Sequence, residues 1–267
     1  MTVKVALPRF AIVFAIFAVT HAYGQEKATD LDIVTDRPDV TESSVVVPKG
    51  SFQLENGFTW TRDHGDAAVD FTETLTRFGV SSHTEFRLVV PNYVVGISGR
   101  AAPSGFGDIA VGAKQQIGPL SGGFDLSVIV ALSLPTGADR ISSRGFDPFI
   151  KLPWSKEISK GWSIGGMQSF FWNTQDERRN PTWETTFTVD KEITESLSAF
   201  VEYAGDFARH GGSQQIAHFG AAYRLTPKQQ IDCHFGFGLS SAAPDHFFAF
   251  GYSIRLDDLL PTNRVRE

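Results

Sequence analysis

Alternation constrains this chain more than any other feature. From residue 51 onward it reads as twelve segments of about ten residues in which apolar side chains alternate with polar or small ones. In the last segment His246, Phe248, Phe250, Tyr252, Ile254 and Leu256 share one parity, and Ala249, Gly251, Ser253 and Arg255 the other. Successive side chains of a strand point to opposite faces, so one face can meet lipid and the other polar groups. An even number of such strands predicts an all-β fold, a transmembrane antiparallel up-and-down β-barrel of about twelve strands.

The flanks agree. In residues 1–24, Lys4 and Arg9 precede an apolar core from Phe10 to Val19, and Ala22-Tyr23-Gly24 offers a cleavage site before Gln25. That is the layout of a signal peptide, and it predicts export to the bacterial outer membrane. No later stretch approaches the ~20 apolar residues of a spanning helix, which leaves the closed barrel as the way to cross lipid. Residues 25–50 read as a periplasmic N-terminal segment, 51–256 as the barrel and 257–267 as a C-terminal periplasmic tail. At 42% hydrophobic and 12% aromatic residues the chain is too apolar for disorder. Its net charge of −6 argues against a nucleic-acid partner. Cys233 is the only cysteine, so an intrachain disulfide is excluded.

The alternation places strands at 51–62, 68–80, 84–95, 106–117, 123–135, 146–154, 161–172, 182–191, 196–205, 214–225, 229–240 and 246–256. The sixth is the weakest, because Pro148 and Pro153 each remove a ladder donor. In the second, Glu73 and Arg77 share parity with Phe71 and Leu75, which leaves its facing ambiguous. Connections at 96–105, 136–145, 173–181 and 206–213 are long and fall on the outer count. Those at 81–83, 192–195 and 226–228 are short and fall on the periplasmic count, as such barrels require. All five tryptophans fall at strand ends: Trp60, Trp172 and Trp183 at the outer rim, Trp154 and Trp162 at the inner.

The runs Thr35-Asp36-Arg37-Pro38-Asp39-Val40-Thr41-Glu42 and Val47-Pro48-Lys49-Gly50-Ser51-Phe52-Gln53-Leu54-Glu55-Asn56-Gly57-Phe58 resemble the opening of a bacterial outer-membrane family. It is labelled the MetA-pathway of phenol degradation or "transporter" family. Phe106-Gly107-Asp108-Ile109-Ala110-Val111-Gly112-Ala113-Lys114, Leu134-Pro135-Thr136-Gly137 and Ala243-Pro244-Asp245 are similar to further segments of it. The resemblance implies a barrel that passes small hydrophobic or aromatic compounds. The tail after Leu256 departs from the aromatic ending common to such barrels, so the barrel-insertion machinery would have to read an internal signal.

Asp36, Arg37, Asp39 and Glu42 crowd seven positions around Pro38. This segment is expected to fold into or across the periplasmic mouth, as a plug or constriction, and to pair with lumen charges; a solvated lead-in is the alternative. Inward parity collects Glu55, Glu85, Arg87, Asp108, Lys114 and Glu202 as candidate pore-lining residues, and also Asp125, Lys151, Glu184, Asp190, Arg224 and Arg255. Arg or Lys on the lipid face would cost about 2–4 kcal/mol near the midplane, which is why their parity identifies the lumen. Mixed signs suit either a narrow pore with a cross-lumen field or a closed structural network. Phe200 and Met167 are inward candidates for contact with an apolar solute. His218 and His234 face inward from neighbouring strands, but no third ligand at zinc spacing accompanies them, so neither metal nor cofactor is expected.

Catalytic patterns are weak. No histidine is followed two residues later by serine, the one-strand arrangement of outer-membrane phospholipases. His64 with Asp66, or Asp245 with His246, could imitate a rim protease, yet such pairs arise readily in Asp-rich loops. The sequence therefore points to a non-enzymatic outer-membrane channel for small solutes, with outer-membrane lipid around it, and the family resemblance implies that these solutes are hydrophobic or aromatic. The alternatives are a structural or adhesive barrel with a sealed lumen, binding a partner through loops 96–105 and 136–145, and an enzyme with a rim or lumen site.

Overall fold

The computed structural model describes residues 32–97 and 104–259. The signal-peptide reading, the start of the N-terminal segment, part of the 96–105 connection and most of the C-terminal tail lie outside these residues. The described chain forms a closed antiparallel barrel of twelve strands, each hydrogen-bonded to its neighbours in sequence. They are β1 (Phe52–Asp63), β2 (Asp66–Gly79), β3 (Thr84–Val89 continued by Tyr93–Gly96), β4 (Gly105–Phe106 continued by Ile109–Gln116), β5 (Phe124–Leu134) and β6 (Asp147–Ser159). There follow β7 (Trp162–Phe171), β8 (Thr182–Glu192), β9 (Leu197–Ala208), β10 (Ser213–Thr226), β11 (Gln229–Gly238) and β12 (His246–Leu256). Pairing of β1 with β12, from Phe52↔Leu256 to Arg62↔His246, closes the sheet. Closure removes both edges, so the backbone groups of the wall are satisfied within it.

The outer surface is apolar and aromatic. Phe58, Phe71, Phe86, Phe170, Phe187, Phe219, Phe235, Phe248 and Phe250 are exposed there, and Cys233 lies beside Phe250 on the same face. The inner surface instead buries Gln53, Glu55, Arg77, Glu85, Lys114, Lys151, Glu202 and Arg255. Trp162, Trp172 and Trp183 stand exposed at strand ends. Trp154 does not: it sits five residues inside β6, with its ring between Phe124 and Phe187.

Three expectations need correction. β6 is longer than 146–154, because Pro153 interrupts only one ladder. The pairing with β5 skips from Leu126↔Trp154 to Ile129↔Lys151, whereas the pairing with β7 runs through Pro153↔Met167. The connection expected at 63–67 is a two-residue turn, His64 and Gly65, both left-handed at φ 47° and 95°. The connection at 206–213 shrinks to 209–212, since β9 and β10 extend further.

The ambiguity of β2 is resolved by a bulge. Glu73 and Thr74 together oppose Asn56, between the pairs Glu55↔Leu75 and Gly57↔Thr72. A two-for-one bulge inverts parity downstream. Phe71 therefore faces out before it, while Leu75, Arg77 and Gly79 face in after it, opposite Glu55, Gln53 and Ser51. Glu73 adopts a left-handed backbone, φ 38°, and turns its carboxylate into the lumen.

Candidate functional site: the lumen and its N-terminal segment

Residues 32–50 lie inside the barrel. The segment enters beside the β10–β11 turn, where Ile33 N–H donates to Pro227 C=O (2.7 Å) and the Arg255 guanidinium donates to Asp32 C=O (3.1 Å). It rises to a turn at Asp36–Ser43, closed by Ser43 N–H on Asp36 Oδ1 (2.9 Å). It then returns to the rim where it entered, and there Lys49 pairs with Gly79 and Gly50 N–H donates to Gly79 C=O. Gly79 has no side chain to obstruct this approach; a Cβ there would meet the carbonyls of Val47 and Pro48.

Apart from the bridge at Lys49, the segment is neither helix nor strand, so its buried amides need other acceptors. The wall supplies them. Asp36 N–H donates to Glu55 (2.8 Å), Val40 and Thr41 N–H to the two oxygens of Glu202 (2.7 and 2.8 Å), and Val47 N–H to Glu85 (2.7 Å). Glu202 also accepts from Thr41 Oγ1 and bonds His218 Nε2, each at 2.5 Å.

Side chains complete the attachment to β1–β4 and β6. Arg77, fully buried, reaches Glu85 through Nε (2.9 Å), Glu55 through Nη1 (3.0 Å) and Val45 C=O through Nη2 (2.9 Å). Arg87 bridges Asp36 and Glu42, both at 2.6 Å, and Lys114 reaches Asp36 at 3.0 Å. Lys151 bonds Glu42 at 2.6 Å, with its ammonium near the rings of Phe149 and Phe171. Arg37 turns the other way, to Glu73 on β2 (2.8 Å) and Asp232 on β11 (3.4 Å).

The electrostatics follow this pairing. Burial pushes the Asp36 carboxyl up, but Arg77, Lys114 and Arg87 together hold it well below the usual carboxylate range. Glu42 is likewise lowered, because Arg87 and Lys151 outweigh its burial. Asp39 goes the opposite way: burial, then Glu202 and Asp190, push it well above its ordinary value.

Of the ten sequence candidates, Asp36, Arg37, Glu42, Glu55, Glu85, Arg87, Lys114 and Glu202 are thus joined in segment–wall contacts. Asp39 lies at the same turn without a cation of its own. Asp108 is separate: at the opposite rim its carboxylate accepts the Gly137 and Ser143 amides (2.8 and 2.9 Å), fixing the 135–146 loop. Sequence reading left out Arg77 and Glu73, whose facing the bulge conceals, and Asp232, whose inward parity between Ile231 and Cys233 could have revealed it. His218 and His234 do lie together, with ring centroids 5.4 Å apart, and no metal-binding cluster of three ligands occurs among the described residues. His64 sits exposed on the outer turn against Asp63, and His246 packs on Trp60.

On the opposite wall a cleft of about 410 Å³ remains between the segment and β6–β11. Thr35, Asp39 and Thr41 line one side, and Ser155, Thr188, Asp190, Phe200 and Gln230 the other.

No curated protein sequence matches the chain. Among solved structures, the COG4313 outer membrane channel from Pseudomonas putida F1 superposes with a TM-score of 0.60 at 13% identity, over 80% of this chain and 98% of that one. The NanC porin gives 0.55 at 12% identity, over 77% and 100%. The KdgM porin gives 0.51 at 8% identity, over 76% and 98%. At these identities the likeness is one of fold, that of outer-membrane channels and porins. The sequence profile of the family described as "Putative MetA-pathway of phenol degradation" matches residues 35–256, from the start of the lumen turn to the end of β12, and the chain belongs to that family.

Proposed function

We propose that this protein is a non-enzymatic channel of the bacterial outer membrane, reached by export with loss of residues 1–24, through which small solutes pass. Residues 32–50 form its constriction. Asp36, Arg37, Asp39 and Glu42 narrow the lumen, and Glu55, Glu85, Arg87, Lys114 and Glu202 anchor them; Asp108 shapes the outer mouth. The observation that carries this reading is the cleft of about 410 Å³ left open beside the segment, since a barrel built only as a scaffold has no reason to keep such a space beside its plug.

The solute class we favour is small aromatic compounds with a polar substituent. It rests on the family description and on the pairing of Phe200 with hydroxyl and carboxyl groups in the cleft wall. Catechol added to the folded protein in a planar bilayer should reduce the ion current in a concentration-dependent way, and a saccharide of similar size should not. Equal block by both would remove the aromatic preference. A folded barrel without current would favour a sealed, structural role.

A further inference from the structure

The lumen is electrically lopsided. Among the described residues, the cations that face it are Arg37, Arg77, Arg87, Lys114 and Lys151 and, near the mouth where the segment enters, Arg224 and Arg255, and every one is bound to carboxylates. Four of these seven stand on β2–β4 and β6, against the segment. The other wall carries carboxylates without such partners. Glu184 and Asp206 face each other across β8 and β9, and their nearest cation, Lys151, is bonded to Glu42. Thr186, Thr188 and Asp190 continue the inward face of β8 toward the periplasm, so its polar groups run Glu, Thr, Thr, Asp along the lumen. Thr188 and Asp190 line the open cleft together with Arg224, and above them Thr186 meets Thr41 of the segment tip, which stands between the cleft and the Glu184–Asp206 pair.

We infer that the conducting path follows the β8–β9 wall and is cation-selective, favouring inorganic cations and small organic ammonium ions over anions. This rests on the channel reading and deepens it. A passing cation meets carboxylates and hydroxyls that can replace part of its hydration, whereas the basic wall is neutralised by the segment. Asp190 and Asp206 are the residues that set the selectivity.

The test is the reversal potential of the mature protein in planar bilayers across a KCl gradient at pH 8, with folding checked by heat-modifiable gel migration. A K⁺ over Cl⁻ permeability ratio above about 3 is expected. Asp190→Asn and Asp206→Asn should each lower it at least about twofold while current persists. Current that is non-selective or anion-selective, as Arg178 and Arg179 at the outer mouth would impose, overturns this inference and leaves the channel standing. A folded barrel without current overturns both.

Discussion

Gly57 and Gly251 face each other across the seam where the first and last strands meet, and the Arg37 guanidinium lies over both. A Cβ on Gly251 would come within 2.5 Å of Arg37 Nε, and one on Gly57 would overlap the guanidinium. The paired glycines therefore form a notch in the lumen wall. From it Arg37 reaches Glu73 on β2 and Asp232 on β11, the strands flanking the seam. Burial alone would lower the Arg37 pKa, but Asp232 and Glu73 raise it, so the guanidinium stays charged in its notch.

Filling the notch should eject Arg37. Gly57→Val and Gly251→Val are each expected to cost about 3 kcal/mol, because Glu73 and Asp232 lose their cation. Urea unfolding of the folded protein in detergent reads this directly. Cys233→Val, on the outward face beside Phe250, supplies a control for substitution away from the lumen. A Gly57→Val midpoint equal to wild type would show that Arg37 is not held there.

Arg77 is the centre of the segment–wall contacts. Arg77→Met leaves Glu55 and Glu85 buried without their main partner and should destabilise by about 4 kcal/mol. Arg77→Lys should recover only part, since one ammonium cannot replace a fork that bonds two carboxylates and two carbonyls. The temperature at which the band shifts on unboiled gels orders the three proteins, and full recovery by lysine would contradict the geometry.

Acid should act on the segment in two opposite ways. Asp36 and Glu42 are held below their ordinary values, so the stability they contribute is fully present above pH ~4 and is lost only as pH falls through their depressed values. Conductance between pH 7 and 5 should therefore show no release of the segment. Asp39 is raised, so the folded protein holds its proton more tightly than the unfolded chain and loses stability as pH rises through that raised value. Asp39→Asn should accordingly stabilise the protein at pH 8 and flatten this part of the profile. Urea midpoints at pH 5 and 8 decide it, and destabilisation by Asp39→Asn at pH 8 would refute the assignment.

Glu202 anchors the tip of the turn. Glu202→Ala removes the acceptor of two amides and a hydroxyl and is expected to weaken docking of the tip by about 2–3 kcal/mol. Faster hydrogen exchange at Val40 and Thr41, with protection unchanged at Val47, is the expected signature. Unchanged exchange at both tip amides would show that other contacts suffice.

Most of the barrel was legible because alternation is imposed at every residue of a lipid-facing strand, so a slip of one position reverses the whole face. β12 was read to the residue, and β8 and β10 to within one at each end. The signal failed where a local feature breaks the period. The bulge at Glu73–Thr74 hid Arg77, and Pro153 made β6 look short. The crowded charges around Pro38 announced a segment with partners to find, and parity supplied many of those partners. Which carboxylate takes which amide was not legible, because such pairings depend on the path of a segment that has no repeating period of its own.

We propose that residues 32–50 constrict an open channel. Single-channel conductance in planar bilayers tests it most directly, comparing the mature protein with a variant lacking residues 32–47, both shown to be folded by heat-modifiable migration. Discrete steps from the mature protein, enlarged severalfold in the deletion, are the expected result. Equal conductance in the two, or silence from both folded barrels, would contradict it.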